Sequence, residues 1–178
     1  MVMRVLPTLL VCLLGIPLAA SAEPSRETLP GAANYTRVDT TVACGGATTA
    51  EAWPELQSRG FKAVVNLRQA GEPGANIEEA RSAATAAGLR YIHLPFSGSS
   101  PQASTVDAFI AAVSDPANSP VYIHCGTANR VGAVWLAKRM LVDGWDEARA
   151  VAEAEAIGLK SAALRDFMLA YVRDHRRP

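Results

Sequence analysis

Pro120 to Gly132, PVYIHCGTANRVG, decides how this chain is read. Its first five residues, Pro120 to His124, form a short apolar run suited to a buried strand. Val131 to Val142 (VGAVWLAKRMLV) then reads as a strong helix. A loop between a strand end and a helix start carries backbone N–H groups without intrahelical partners, and the helix dipole adds positive potential there. Such a nest holds an oxyanion. Cys125 opens the loop and Arg130 closes it. The same field stabilises a Cys125 thiolate, the nucleophilic form of the side chain. Arg130 can fork two N–H groups onto an anion. Gly126 and Gly132 allow close backbone approach. The competing reading of an isolated cysteine at a strand end is a buried structural thiol.

Outward from this loop, strands and helices alternate. Tyr35 to Ala43 reads as a first strand, and Gly45-Gly46 as a turn. Thr48-Thr49-Ala50-Glu51 has the form of a capping box ahead of a helix over Ala52 to Arg59, stopped by Gly60. Phe61 to Leu67 (FKAVVNL) suits a strand covered on both faces. Ile77 to Ala87 is helical, Arg90 to Phe96 (RYIHLPF) a strand, and Thr105 to Val113 a helix. Further helices fit Trp145 to Ile157 and Ser161 to Arg173, with Gly158 between them. The expected fold is α/β: a central, mostly parallel sheet of four or five strands flanked by helices.

The 178 residues suffice for one domain with a sizeable core. Basic and acidic side chains balance at 17 each, and no basic stripe is interleaved with aromatics, which argues against nucleic-acid binding. Met1 to Arg4 give a cationic start, Val5 to Ala20 an apolar stretch, and Ala20-Ser21-Ala22 the small residues of a cleavage site. Residues 1–22 are therefore expected to be a signal peptide, cut after Ala22, and the mature protein periplasmic or secreted with no membrane attachment. Residues 23–34 read as an extended N-terminal segment and 35–178 as the folded domain. Cys12 leaves with the leader, so Cys44 and Cys125 are the remaining thiols. With no CxxC pair and no His-rich cluster, neither a metal site nor a cofactor is expected.

The loop HCGTANRVG (124–132) resembles the phosphate-binding loop of protein tyrosine phosphatases of the dual-specificity type. The likeness is closer to small bacterial phosphatase-like domains, some of them fused to NAD kinases. GFKAVVNLR (60–68), YIHLPF (91–96) and the helix after Arg130 fall in that family's order, so the similarity spans roughly residues 35–172. The resemblance implies a dual-specificity phosphatase fold, with Cys125 as nucleophile and Arg130 as the phosphate-binding arginine. His124 would hold the loop and tune the thiolate, and Gly126, Thr127, Ala128, Asn129, Val131 and Gly132 would complete the cradle. The substrate class implied is a phosphorylated small molecule or a phosphoprotein.

Three departures bear on this expectation. Four residues, not the family's five, separate Cys125 from Arg130. Val131 replaces the hydroxyl residue that usually follows the arginine, leaving Thr127 as the substitute. Ser97-Gly98-Ser99-Ser100 contains no aspartate general acid, a group that contributes about 10² to 10⁴-fold. Glu72 and Asp107 are the stand-ins, or else ordinary surface acids. The shortened loop also resembles that of single-domain rhodaneses, which makes sulfur transfer through a Cys125 persulfide a rival reading; a catalytically weak oxyanion-binding domain is another. Arg68, ending its strand on the ligand-bearing edge, either adds positive potential or forms a salt bridge. Asn129 either hydrogen-bonds within the loop or takes a left-handed backbone. Cys44 is an accessory candidate for a reversible disulfide with Cys125. His93 reads as a core histidine.

Overall fold

A computed structural model describes residues 23–176, so the expected leader lies outside the described residues. Six strands form one sheet: β1 (Ser25–Arg26), β2 (Thr36–Arg37), β3 (Val42–Gly45), β4 (Ala63–Asn66), β5 (Arg90–His93) and β6 (Val121–His124), in the order β1-β2-β3-β6-β4-β5. The pairs β3–β6, β6–β4 and β4–β5 are parallel, and β1–β2–β3 is antiparallel. The four-stranded parallel core matches the reading from sequence; the two extra strands are two residues each.

One of them, β1, lies in the segment expected to be extended, and the other, β2, comes from a break. The run expected as a single strand, Tyr35 to Ala43, is interrupted by a turn at Asp39. The Asp39 carboxylate accepts from the amides of Thr41 and Val42 and from the Thr41 hydroxyl. An aspartate satisfying amides two and three residues on is a turn maker that outweighs strand alternation. The chain therefore doubles back, and β2 pairs with both β1 and β3. The YIHLPF strand also stops early, at His93, ahead of Pro95.

The helices are α1 (Ala52–Ser58), α2 (Ile77–Ala86), α3 (Ala103–Ser114), α4 (Asn129–Leu141), α5 (Glu147–Ile157) and α6 (Ala162–His175). The capping box expected at Thr48 is not formed. The cap position of α1 is Glu51 without a side-chain bond, and the Thr48 hydroxyl instead meets Gly46 O and the Tyr122 hydroxyl. Strand alternation divides the core in two. Val42, Cys44, Val65, Ile123 and Cys125 face the layer of α3 to α6, whereas Ala43, Val64 and Tyr122 face α1 and α2. Strand β6, buried throughout like its neighbours, is central, with His124 opposite Gly45 on one side and Asn66 on the other. No described helix is long and apolar enough to cross a membrane.

Candidate active site

β6 carries Cys125 to the C-terminal edge of the sheet, where its amide donates to Gly45 O at 3.3 Å in the last rung of the ladder. Beyond it, the amides of Gly126 through Val131 donate to no acceptor among the described residues. The helical pattern begins with Gly132 N–H on Ala128 O at 3.0 Å. Consecutive unpaired amides between a strand end and the start of a 13-residue helix form an anion-binding concavity. The turn is closed by Ala128, not Asn129, in the left-handed region (φ 71°).

Arg130 lies over the loop, its Nη2 3.5 Å from where a Cβ on Gly126 would stand, and the nearby Cys125 sulfur favours its charge. Its Nη1 donates to Glu72 Oε1 at 2.5 Å and its Nη2 to Glu72 Oε2 at 2.7 Å, a two-point fork. Nη1 also reaches the carbonyls of Phe96 (3.0 Å) and Leu67 (3.2 Å). Nε–H and one Nη2–H are left for the sulfur and an oxyanion. Burial works against the Arg130 charge, but the Glu72 carboxylate and the Cys125 sulfur outweigh it and raise its pKa.

Glu72 is itself held. It accepts from the Gln69 amide at 2.7 Å and sits 3.4 Å from Arg68 Nε. Arg68, buried at the end of β4, also donates to the carbonyls of Gly74 (2.8 Å) and Pro73 (2.6 Å) and so staples the whole β4–α2 loop. Burial pushes the Glu72 pKa up, but bonds from Arg130 and the Gln69 amide dominate and bring it down to about 2. A carboxyl so acidic is ionised at neutral pH and donates no proton. Of the two stand-ins for a general acid, Glu72 is thus the clamp on Arg130.

These contacts describe a fully buried thiol near a guanidinium, at the start of an amide nest. The chain matches over residues 17–167 the family model described as a dual-specificity-type phosphatase fused to NAD+ kinase. It belongs to that phosphatase family. A "Beta-lactamase hydrolase-like protein" of Agrobacterium fabrum is 37% identical over 82 residues, which is 44% of this chain and 18% of the relative. The chain thus spans under a fifth of that relative's length. Among solved structures, a "putative phosphatase (DUF442)" of Shewanella putrefaciens superposes with a TM-score of 0.68 at 21% identity, covering 81% of this chain and 93% of that one. TpbA of P. aeruginosa superposes at 0.65 and 23% identity, covering 88% and 92%, and a further TpbA structure is a complex with phosphotyrosine. At these identities the superpositions establish the fold.

In this member of the phosphatase family, the other residues singled out from sequence fall as follows. His124 is buried and stacks on Tyr122 (ring centroids 5.7 Å apart) and against Trp53 (5.9 Å), facing the α1/α2 layer. Neither ring nitrogen has a hydrogen-bond partner, so the histidine supports the loop by packing. Burial, then the nearby Arg68 charge, hold its pKa down to about 3, and the ring is neutral. Asn129 bonds outside the loop, its side-chain oxygen accepting from the amides of Lys160 (2.7 Å) and Ser161 (3.1 Å). Gly132 gives the close approach expected of it: a Cβ there would lie 2.5 Å from Ala154 O. Gly126 is not pressed, and a Cβ there would stand 3.5 Å from Arg130 Nη2. Thr127 is exposed and Val131 buried.

Asp107 is not at this site. It bonds the Tyr171 hydroxyl and lines a cavity of about 630 Å³ with Met140 and Leu141. Those two residues end α4, about 20 Å along the helix from the loop. Cys44 and Cys125 are both free thiols on the same face of the sheet. Cys44 pairs with Ile123, two residues behind Cys125 in register. Burial, with Glu153 next, pushes the Cys44 thiol well up, which keeps it protonated. The serine loop after β5 packs on Arg130, Gly98 lying 4.0 Å from its Cγ by the position a Cβ would take. It carries no acid. The sequence did not announce the Glu72–Arg130 fork, because the partners are 58 residues apart.

Proposed function

We propose that this chain is an exported cysteine-dependent phosphatase that hydrolyses a phosphomonoester through a phosphocysteine intermediate. The observation that carries it is the run of unpaired amides from Gly126 to Val131, wrapped around Cys125 and faced by a clamped Arg130. Amides and guanidinium hold the phosphoryl oxygens, and the Cys125 thiolate attacks phosphorus in line with the ester oxygen. The S–P bond forms as the P–O bond breaks, and the departing alkoxide takes its proton from water. A second water then attacks phosphorus, releasing phosphate and the thiolate. Without a protein acid to protonate the leaving oxygen, esters of acidic alcohols turn over fastest. Export rests on the Met1 to Ala22 pattern; N-terminal sequencing of the mature protein should begin at Glu23.

Two observations favour a second reading, sulfur transfer through a Cys125 persulfide: the ring is one residue short, and no carboxylic acid serves the site. The two chemistries separate in parallel assays. Phosphate release from p-nitrophenyl phosphate, abolished by Cys125→Ser, supports the phosphatase. Thiocyanate formation from thiosulfate and cyanide, in its absence, supports the sulfurtransferase. If both fail while vanadate or phosphate still raises Tm, the loop only binds oxyanions.

A further inference from the structure

The turn between β3 and α1 holds the outer side of the Cys125 loop. Ala47 N–H donates to Gly126 O at 2.9 Å. In a trans peptide the C=O and the N–H point in opposite directions. Drawing the Gly126 carbonyl toward Ala47 therefore turns the Thr127 N–H of the same peptide away from that turn, toward the inside of the loop. This N–H has no acceptor among the described residues. The approach is close: a Cβ at Gly46 would lie 3.1 Å from Gly126 O and 3.4 Å from Thr127 Cα.

The Ala47 amide is held in turn. Ala33, ahead of β2, donates to Ala47 O at 2.9 Å and accepts from Gly46 N–H at 2.7 Å, which fixes the peptides on either side of Gly46–Ala47. The Gly46 carbonyl accepts from the Thr48 hydroxyl at 3.1 Å. A carbonyl only accepts, so the Thr48 hydrogen lies there and the Thr48 oxygen is left to accept from the Tyr122 hydroxyl, 2.9 Å away. Tyr122 is buried, its hydroxyl has no other partner among the described residues, and a Cβ at Gly45 would overlap it. Burial pushes the Tyr122 pKa up, so the hydroxyl keeps its hydrogen. The dipoles therefore all run one way, from Tyr122 O–H through Thr48 O–H and the Gly46–Ala47 amide to the Gly126–Thr127 amide. Donors aligned head to tail polarise one another and strengthen the last bond of the series.

We propose that Thr48 and Tyr122 are positioning residues for the oxyanion nest. Their hydroxyls act through the Gly46–Ala47 amide to set the plane and the polarity of the Gly126–Thr127 peptide, so that Thr127 N–H meets a phosphoryl oxygen. Neither side chain touches the phosphoryl group. The relay rests on the phosphatase reading and goes beyond it, since both residues lie outside the loop from Cys125 to Arg130.

The test sets Thr48→Val, which keeps the shape and removes the hydroxyl, beside Thr48→Ser, which keeps the hydroxyl. Losing an oxyanion donor outright costs about 10²–10³ in rate, so a donor left in place but unaimed should cost less, about tenfold in kcat/KM for p-nitrophenyl phosphate. The inhibition constant of vanadate should rise by the same factor, and Thr48→Ser should restore both. Tyr122→Phe should cost about two- to threefold alone, and nothing further in the Thr48→Val background, where the relay is already cut. All are measured well below the Tm of every variant, so that lost stability does not enter. If Thr48→Val keeps both constants within twofold, if Thr48→Ser loses as much as Thr48→Val, or if the losses multiply in the double variant, the relay is overturned and the phosphatase stands. Should Thr48→Val misfold, Tyr122→Phe carries the test, and unchanged constants in it overturn the relay. If wild type does not hydrolyse p-nitrophenyl phosphate, the phosphatase reading falls and the relay is judged on oxyanion binding alone. A phosphate-induced rise in Tm that Thr48→Val diminishes and Thr48→Ser keeps then supports it; an equal rise in all three, or none in wild type, overturns it.

Discussion

The carboxylate clamp on Arg130 makes a demand on both stability and rate, tested by Glu72→Gln. The substitution keeps the shape and removes the charge. In the folded protein the Glu72 carboxyl is drawn from 4.5 to about 2. Two and a half units correspond to about 3.4 kcal/mol in full. Its side chain is 23% exposed and open to water on one side, so screening leaves roughly 1–2 kcal/mol. Because the folded pKa lies below the unfolded one, this stabilisation is complete above about pH 4.5 and is lost as pH falls through about 2.

Glu72→Gln should therefore melt below wild type at neutral pH, by roughly 2–8 °C for a domain of this size. The two melting curves should converge as the pH is lowered toward 2. Circular dichroism melts across that range measure the convergence. The rate consequence has the same source. Arg130 released from the fork must be ordered again when the oxyanion binds, and 1–2 kcal/mol of ordering lowers kcat/KM for p-nitrophenyl phosphate roughly 10-fold. A constant gap between the melting curves at every pH would show that the fork contributes no linked proton. An undiminished kcat/KM would show that Arg130 needs no clamp.

Arg130→Lys should lower kcat/KM by about 10² or more, because a lysine offers no planar fork to divide between Glu72 and the phosphoryl oxygens; steady-state kinetics with p-nitrophenyl phosphate measure it. Gly132→Ala forces a Cβ to within 2.5 Å of Ala154 O and 2.9 Å of Leu159 N, backbone atoms that must shift. It should cost about 1–3 kcal/mol and depress Tm by several degrees in calorimetry. Ala128→Gly relieves a left-handed alanine (φ 71°) and should raise Tm slightly, since about 1–2 kcal/mol of strain outweighs the 0.5–1 kcal/mol that glycine's chain entropy removes. A lower Tm would mean that the buried Ala128 methyl matters more than its backbone.

How much of this was visible in the chain follows the range of each interaction. The parallel core is legible in FKAVVNL and PVYIH because a strand buried on both faces shows as an unbroken apolar run. The loop is legible because strand, Cys125, Arg130 and helix are contiguous. Tyr35 to Ala43 misleads because its alternation is real, and only the bonds of Asp39 to Thr41 and Val42 turn it into two strands. As sequence, Asp107 and Glu72 differ only in that Glu72 has a basic neighbour, Arg68, four residues back. What separates them is where β4 and α3 end up: one acid meets Arg130 across the sheet edge, the other meets Tyr171 at the far end of α4.

That separation also bears on the chemistry. On the proposed mechanism, with Asp107 remote and Glu72 ionised, the leaving oxygen departs without a proton from the protein and its own basicity sets the rate. Logarithmic rates for a series of substituted phenyl phosphates should then fall steeply as the phenol becomes more basic, and more steeply than in an enzyme that protonates the leaving group. Installing an acid in the loop that packs on Arg130, as Ser97→Asp, Ser99→Asp or Ser100→Asp, should flatten the slope for whichever position faces the bond being broken. A slope already shallow in wild type would mean that some other group donates the proton. The assignment of Glu72 as an ionised clamp would then be the first part of the mechanism to give way.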